Sequence, residues 1–103
     1  MTLQQLEYFS AIAEEGSIGA ASRKLHTTQP PLSRQLAALE EELHVKLFLR
    51  NTKGVSLTYA GQHFYQEIKR LQQGMTNLVS DMSSIDKGIM GKLEIGVEYS
   101  VAP

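Results

Sequence analysis

Apolar residues return along this chain at helical intervals, broken by short polar segments. Leu3, Leu6, Phe9 and Ala13 form one stripe with Tyr8 and Ile12 beside it, the recurrence of an amphipathic helix. Thr2 followed by Gln5 fits a capping box, and Gly16 suits a helix stop, so the first helix is predicted to end near Glu15. Ser17 caps a second helix, Ile18 to Leu25, whose small Ala20 and Ala21 allow close approach of a neighbour. After the turn His26-Thr27-Thr28, Leu32, Leu36, Leu39 and Leu43 mark the buried face of a third helix. Thr28 is its expected N-cap, with the hydroxyl accepting an orphan amide, and Gln29, Pro30 and Pro31 fill the first turn, where proline is tolerated. Gln29, Ser33, Arg34 and Ala37 remain on other faces. One side of this helix is held by a core and the other offers hydrogen-bond donors.

The pattern then changes. Lys46-Leu-Phe-Leu-Arg50 and Val55-Ser-Leu57 read as short strands, and Asn51-Thr-Lys-Gly54 between them is turn chemistry, with Gly54 able to take positive φ. Thr58 then caps a long helix predicted to run from Tyr59 to about Lys87. Along it Phe64, Ile68, Leu71, Met75, Leu78, Met82 and Ile85 are spaced alternately by four and three, the heptad seam of helices that pair with a partner. Lys87-Gly-Ile-Met-Gly91 reads as a linker, and Lys92-Leu-Glu-Ile-Gly-Val97 alternates like a strand with nothing to pair with, as at the entry to a further domain. The expected organisation is a three-helix core with a two-stranded wing at residues 1–58, a linker helix at 59–87, and a hinge with a first strand at 88–103.

A chain of 103 residues, 42% apolar, buries one small core. Its formal net charge of −1 argues against nucleic acid until the distribution is considered. Arg23, Lys24 and Arg34 fall in a segment free of acids, as do Lys46, Arg50 and Lys53, whereas Glu14, Glu15 and Glu40-Glu-Glu42 cluster elsewhere. A nearly neutral molecule can therefore carry a basic face. The absence of cysteine removes disulfides, thiolate metal sites and cysteine nucleophiles. No stretch approaches the roughly 18 apolar residues of a membrane span, and the N-terminus lacks signal-peptide character, so a cytoplasmic protein is expected. His26, His44 and His63 do not form a metal motif, and no nucleophile or second acidic cluster accompanies the glutamate run. We expect no metal, no cofactor and no catalytic site.

Several short sequences, in this order and spacing, identify a family. They are Leu6 with Phe9, Glu15-Gly-Ser17, Ala20-Ala21 with Leu25, Thr28-Gln-Pro-Pro-Leu-Ser33, Leu39-Glu40 with Leu43, Leu47-Phe48 with Arg50, and Leu57-Thr58 followed by Ala60-Gly61. In these the chain resembles the N-terminal DNA-binding region of LysR-type transcriptional regulators over essentially its whole length, and Gly91-Lys-Leu-Glu-Ile-Gly96 is similar to the entry into their effector-binding domain. The resemblance implies a mainly α winged helix-turn-helix followed by a long dimerisation helix. It implies a recognition helix in the major groove, a wing in the adjacent minor groove, and a bacterial activator or repressor answering to a small metabolite bound in a C-terminal domain. Tetramers, built largely through that domain, are common in the family. His44 stands where the family usually has a helix-ending glycine, Lys53 where the wing usually has arginine, and Pro31 where alanine is commoner.

Within that frame Gln29 and Arg34 are expected at base edges, glutamine pairing with adenine and arginine with guanine. Pro30 either meets a thymine methyl or only starts the helix. Ser17, Arg23, Lys24, Thr27, Thr28 and Ser33 lie where phosphate contact is expected, and Ser17 and Thr28 also serve as caps. Arg50 has two open readings, a phosphate ligand or a partner of Glu40. Lys53 at the wing tip suits the minor groove or a phosphate. Phe64, Ile68, Leu71, Met75, Leu78, Met82 and Ile85 are expected to form the homodimer interface. The rival reading is a coiled-coil interaction module in which the helix-turn-helix is only scaffold; a recombinase-like enzyme is disfavoured because candidate nucleophiles and metal carboxylates are lacking.

Overall fold

The computed structural model of the chain describes residues 1–86. The hinge and strand expected at 88–103, and the last position of the helix expected to reach 87, lie outside the described residues. Helices α1 (Leu3–Glu15), α2 (Ile18–Lys24) and α3 (Gln29–Leu43) are followed by strands β1 (Phe48–Asn51) and β2 (Gly54–Leu57) and by helix α4 (Tyr59–Asp86). The chain divides into two compact units, Met1–Lys69 and one beginning at Arg70.

The helix ends follow local chemistry. At α1 the Thr2 hydroxyl accepts the Gln5 amide at 3.1 Å and the Gln5 side chain accepts the Thr2 amide at 2.9 Å, completing the expected capping box. Gly16 ends the helix at φ +79°. The Ser17 hydroxyl accepts the Ala20 amide at 3.0 Å to start α2. Thr28 occupies the N-cap of α3 but makes no side-chain cap bond, which corrects the expectation drawn from its residue type. The reason lies in the next residues. An N-cap side chain bonds the amides of the second or third helical residue, and here those residues are Pro30 and Pro31, which have no N–H. At the other end of α3, His44 takes the left-handed conformation at φ +57° and ψ +37°. A histidine thus does a glycine's work there, at a cost of about 1 kcal/mol.

Phe9, Ile12, Leu32, Leu39, Leu47 and Ile68 are the largest fully buried side chains of the first unit. Phe9 is the hub, with ring centroids 5.1 Å from Phe48 and 5.0 Å, edge-on, from Phe64, an arrangement aromatic rings favour. Leu3, placed on the apolar stripe by its spacing, is instead exposed. The wing is antiparallel, pairing Phe48 with Leu57 and Asn51 with Gly54. It is fixed to the helices at two points. The Val55 amide donates to the Gly16 carbonyl at 3.0 Å, and a side chain on Gly54, at φ +137°, would run into that same carbonyl. On the other strand the Glu40 carboxylate accepts the amides of Leu47 at 2.7 Å and Phe48 at 3.2 Å. Thr58 begins α4 by accepting the Gly61 amide at 2.9 Å while donating to the Lys46 carbonyl at 2.7 Å.

The heptad seam divides between the two units. Ile68 is only 2% exposed and Phe64 packs on the same core, so these two are corrected from interface to core. In the second unit Leu71, Met75, Leu78, Met82 and Ile85 are all exposed, as is Val79. Among the described residues no helix is long and apolar enough to cross a membrane.

Candidate nucleic-acid interface

Helix α3 presents its two faces as the spacing of its leucines requires. Leu32, Leu36 and Leu39 are buried, while Gln29, Pro30 and Arg34 are exposed and Ser33 is half-buried. Beside this exposed face lies an open, mainly polar depression of about 390 Å³. Gln29 and Ser33 of α3 line it together with Arg50, Asn51, Thr52 and Lys53 of the wing and Gly19 at the start of α2. Residues assigned separately to base, phosphate and minor-groove contact thus share one concave surface. Sequence reasoning missed Gly19, Asn51 and Thr52. Asn51 was legible as a turn residue, and its side chain accepts the Lys53 amide at 2.9 Å, shaping the tip that carries Lys53.

Glu40 bears on one of the two readings of Arg50. Its carboxylate accepts the Leu47 and Phe48 amides and lies 3.7 Å from the Lys46 ammonium. Among the described residues Arg50 makes no pair with it and instead lines the depression. Arg23 and Thr28 are exposed and Thr27 is half-buried, its amide bonded to the Ser22 carbonyl at 2.9 Å. The Ser17 oxygen is engaged as a cap, as expected.

Lys24 is committed elsewhere. Its ammonium lies 3.3 Å from Glu14 and 3.4 Å from Glu15. Glu14 also pairs with Lys69 at 2.8 Å and accepts the Tyr65 hydroxyl at 2.9 Å. This cluster joins α1, α2 and the beginning of α4. The Lys69 hydrogen bond, against a smaller cost of burial and with help from Tyr65 and Lys24, holds the Glu14 carboxyl down at about 2, from an ordinary 4.5. The same contacts raise Lys24 and Lys69, and burial followed by Glu14 raises the Tyr65 phenol. A carboxyl depressed on folding stabilises above its unfolded value and loses that contribution as pH falls through its folded value. Denaturation midpoints measured from pH 5 to 2 should therefore fall across the window from about 4.5 to about 2. Glu14→Gln should flatten that fall and lower stability at neutral pH, and an unchanged acid limb in the variant would remove Glu14 as its source.

No group of three or more potential metal-ligating His, Cys, Asp or Glu side chains occurs among the described residues.

Residues 3–62 match the family described as bacterial regulatory helix-turn-helix protein, lysR family. The chain belongs to the LysR family. The match spans all three helices, both wing strands and the start of α4, and the chain carries that family's winged helix-turn-helix DNA-binding domain. It is 45% identical over 96 residues to the transcriptional regulator TfdS of Cupriavidus pinatubonensis, covering 93% of this chain and 32% of that protein. The chain thus spans about a third of the length of that curated relative. Among solved structures, the DNA-binding domain of BenM in complex with benA site 1 DNA aligns at a TM-score of 0.79 and 42% identity, covering 85% of this chain and 99% of that one. The DNA-binding domain of CbnR, also in a DNA complex, aligns at 0.74 and 39% identity, covering 84% of this chain and 99% of that one.

Proposed function

We propose that the chain binds a dyad-symmetric operator in duplex DNA as a homodimer, in the cytoplasm, with α3 in the major groove. Gln29, Pro30 and Arg34 read base edges. Ser17, Arg23, Thr27, Thr28, Ser33 and Arg50 grip phosphates, and Lys53 enters the adjacent minor groove. Lys24 drops out of the phosphate set because its charge is spent on Glu14 and Glu15. Leu71, Met75, Leu78, Met82 and Ile85 form the dimer seam, and a small-molecule effector acts through a C-terminal domain of the whole regulator. The observation that carries the reading is the shared depression, where Gln29 and Ser33 meet Arg50 and Lys53. The BenM and CbnR domains, held on DNA in their own structures, support it.

Titration of the tightest duplex selected from a random library, and of a scrambled duplex, across a salt series tests this reading. Affinity should fall steeply with salt, each phosphate contact adding about 0.9 to the logarithmic slope. Arg34→Ala should cost about 1 to 3 kcal/mol on the selected duplex and relax one base position, whereas Lys53→Ala should weaken both duplexes alike. Equal loss on both duplexes for Arg34→Ala would remove its base-reading role, and absence of duplex binding would favour the protein-interaction reading.

A further inference from the structure

Gly19 occupies the second position of α2 with ordinary helical backbone, so no turn or positive φ calls for glycine there. In a helix glycine costs roughly 1 kcal/mol relative to alanine. The conformation does not account for that cost. A methyl group placed on Gly19 would stand 3.4 Å from the Gln29 amide nitrogen, 4.0 Å from the carbon that bears it, and 3.6 Å from an Arg23 guanidinium nitrogen. These are ordinary contact distances, so a single methyl group is accommodated, and a longer side chain would share its space with the ends of Gln29 and Arg23. Gly19 also lines the depression beside Gln29, and its carbonyl is held by the Ser22 hydroxyl at 2.7 Å.

We infer that Gly19 is a specificity-determining position: its missing side chain seats the Gln29 carboxamide and the Arg23 guanidinium side by side, and a longer side chain there redirects Gln29 and changes the base preferred at its position. Gly19 touches no base in this scheme and acts through Gln29, so it is a positioning residue. The inference rests on the proposed base contact of Gln29. It also sets a size limit, in which alanine is accommodated and leucine is not. Leucine is a good helix former, so the substitution should leave the fold intact.

The experiment uses the tightest duplex selected from a random library and its single-base variants, titrated with the protein, Gly19→Ala, Gly19→Leu, Gln29→Ala and the double variant Gly19→Leu/Gln29→Ala. Melting temperatures of the same proteins report folding. Gly19→Ala should bind like the parent. Gly19→Leu should melt no lower than the parent, yet lose roughly 10-fold on the selected duplex and flatten or shift the preference at one base position. In the Gln29→Ala background Gly19→Leu should cost clearly less than in the parent, since coupled residues fail to add and only its effect on Arg23 remains. An equal cost in both backgrounds, or no cost in either, overturns the inference while leaving the function standing. An unchanged base preference in Gln29→Ala alone overturns the base contact and the inference with it.

Discussion

Leu78→Asp is expected to leave the first unit folded and to convert the protein from dimer to monomer, with affinity for a two-half-site duplex falling roughly 100-fold or more. Leu78 is 59% exposed in the described chain. An aspartate there meets water in the monomer and so removes no core contact. In a paired seam the same carboxylate would face the apolar row of a second copy, where burying an unpaired charge is prohibitive. The duplicated DNA contact would then be lost, because a second half-site is reached cheaply only when the first has already bound. Ile68→Asp is the contrasting case. Ile68 sits in the core, so its aspartate should unfold the first unit and not merely separate two folded chains. Light scattering and circular dichroism on both variants check this. A Leu78→Asp protein with the parent's mass would remove the seam from the account.

Gly61→Ala is expected to destabilise the first unit by about 3 kcal/mol, at the upper end of what overpacking costs, and to lower its melting temperature by more than about 10 °C. Gly61 is buried in the first turn of α4. A Cβ there would collide with the Leu47 carbonyl oxygen and come within 3.0 Å of a Leu57 methyl. The carbonyl is backbone and already accepts the Thr58 amide at 3.0 Å, so it cannot turn aside without breaking the junction between wing and helix. Gly74, on the same helix, has nothing within 4 Å of such a carbon. Gly74→Ala should therefore be neutral or stabilising by up to about 1 kcal/mol. Thermal melts of the pair test the contact itself, and a Gly61→Ala melt within a degree or two of the parent would refute it.

These substitutions show where the sequence was legible and where it was not. The helices, the wing and their caps follow from local chemistry, and so Thr2, Ser17 and Thr58 cap as their positions require. The heptad pattern is also local, and for that reason it misleads at its beginning. A spacing of four and three says that a helix face is apolar, not whether another helix or the chain's own core covers it. Phe9 and its neighbours take Phe64 and Ile68, and the face is left exposed only from Leu71 onward. Thr28 shows the opposite error, in which a good capping residue is defeated by the two prolines that remove its donors. In the sequence Lys24 read as a phosphate contact and Arg50 as either a phosphate ligand or a partner of Glu40. They part company because Glu14 and Glu15 at the end of α1 pair with Lys24, while Glu40, the acid expected to compete for Arg50, is occupied by backbone amides and Lys46. Gly54 was legible as a turn glycine, whereas the contacts that a side chain on Gly19 or Gly61 would meet appear only in the fold.

The central claim is that α3 reads bases and that two copies read them together. Selection of the parent protein's preferred duplexes from a random library, followed by sequencing of the bound pool, tests both halves at once. Two dyad-related half-sites are expected, with centres about 10 base pairs apart or a multiple of that, the separation that places paired recognition helices on one face of the duplex. Enrichment of no motif, or of a single asymmetric half-site with no second copy at any fixed spacing, would contradict it.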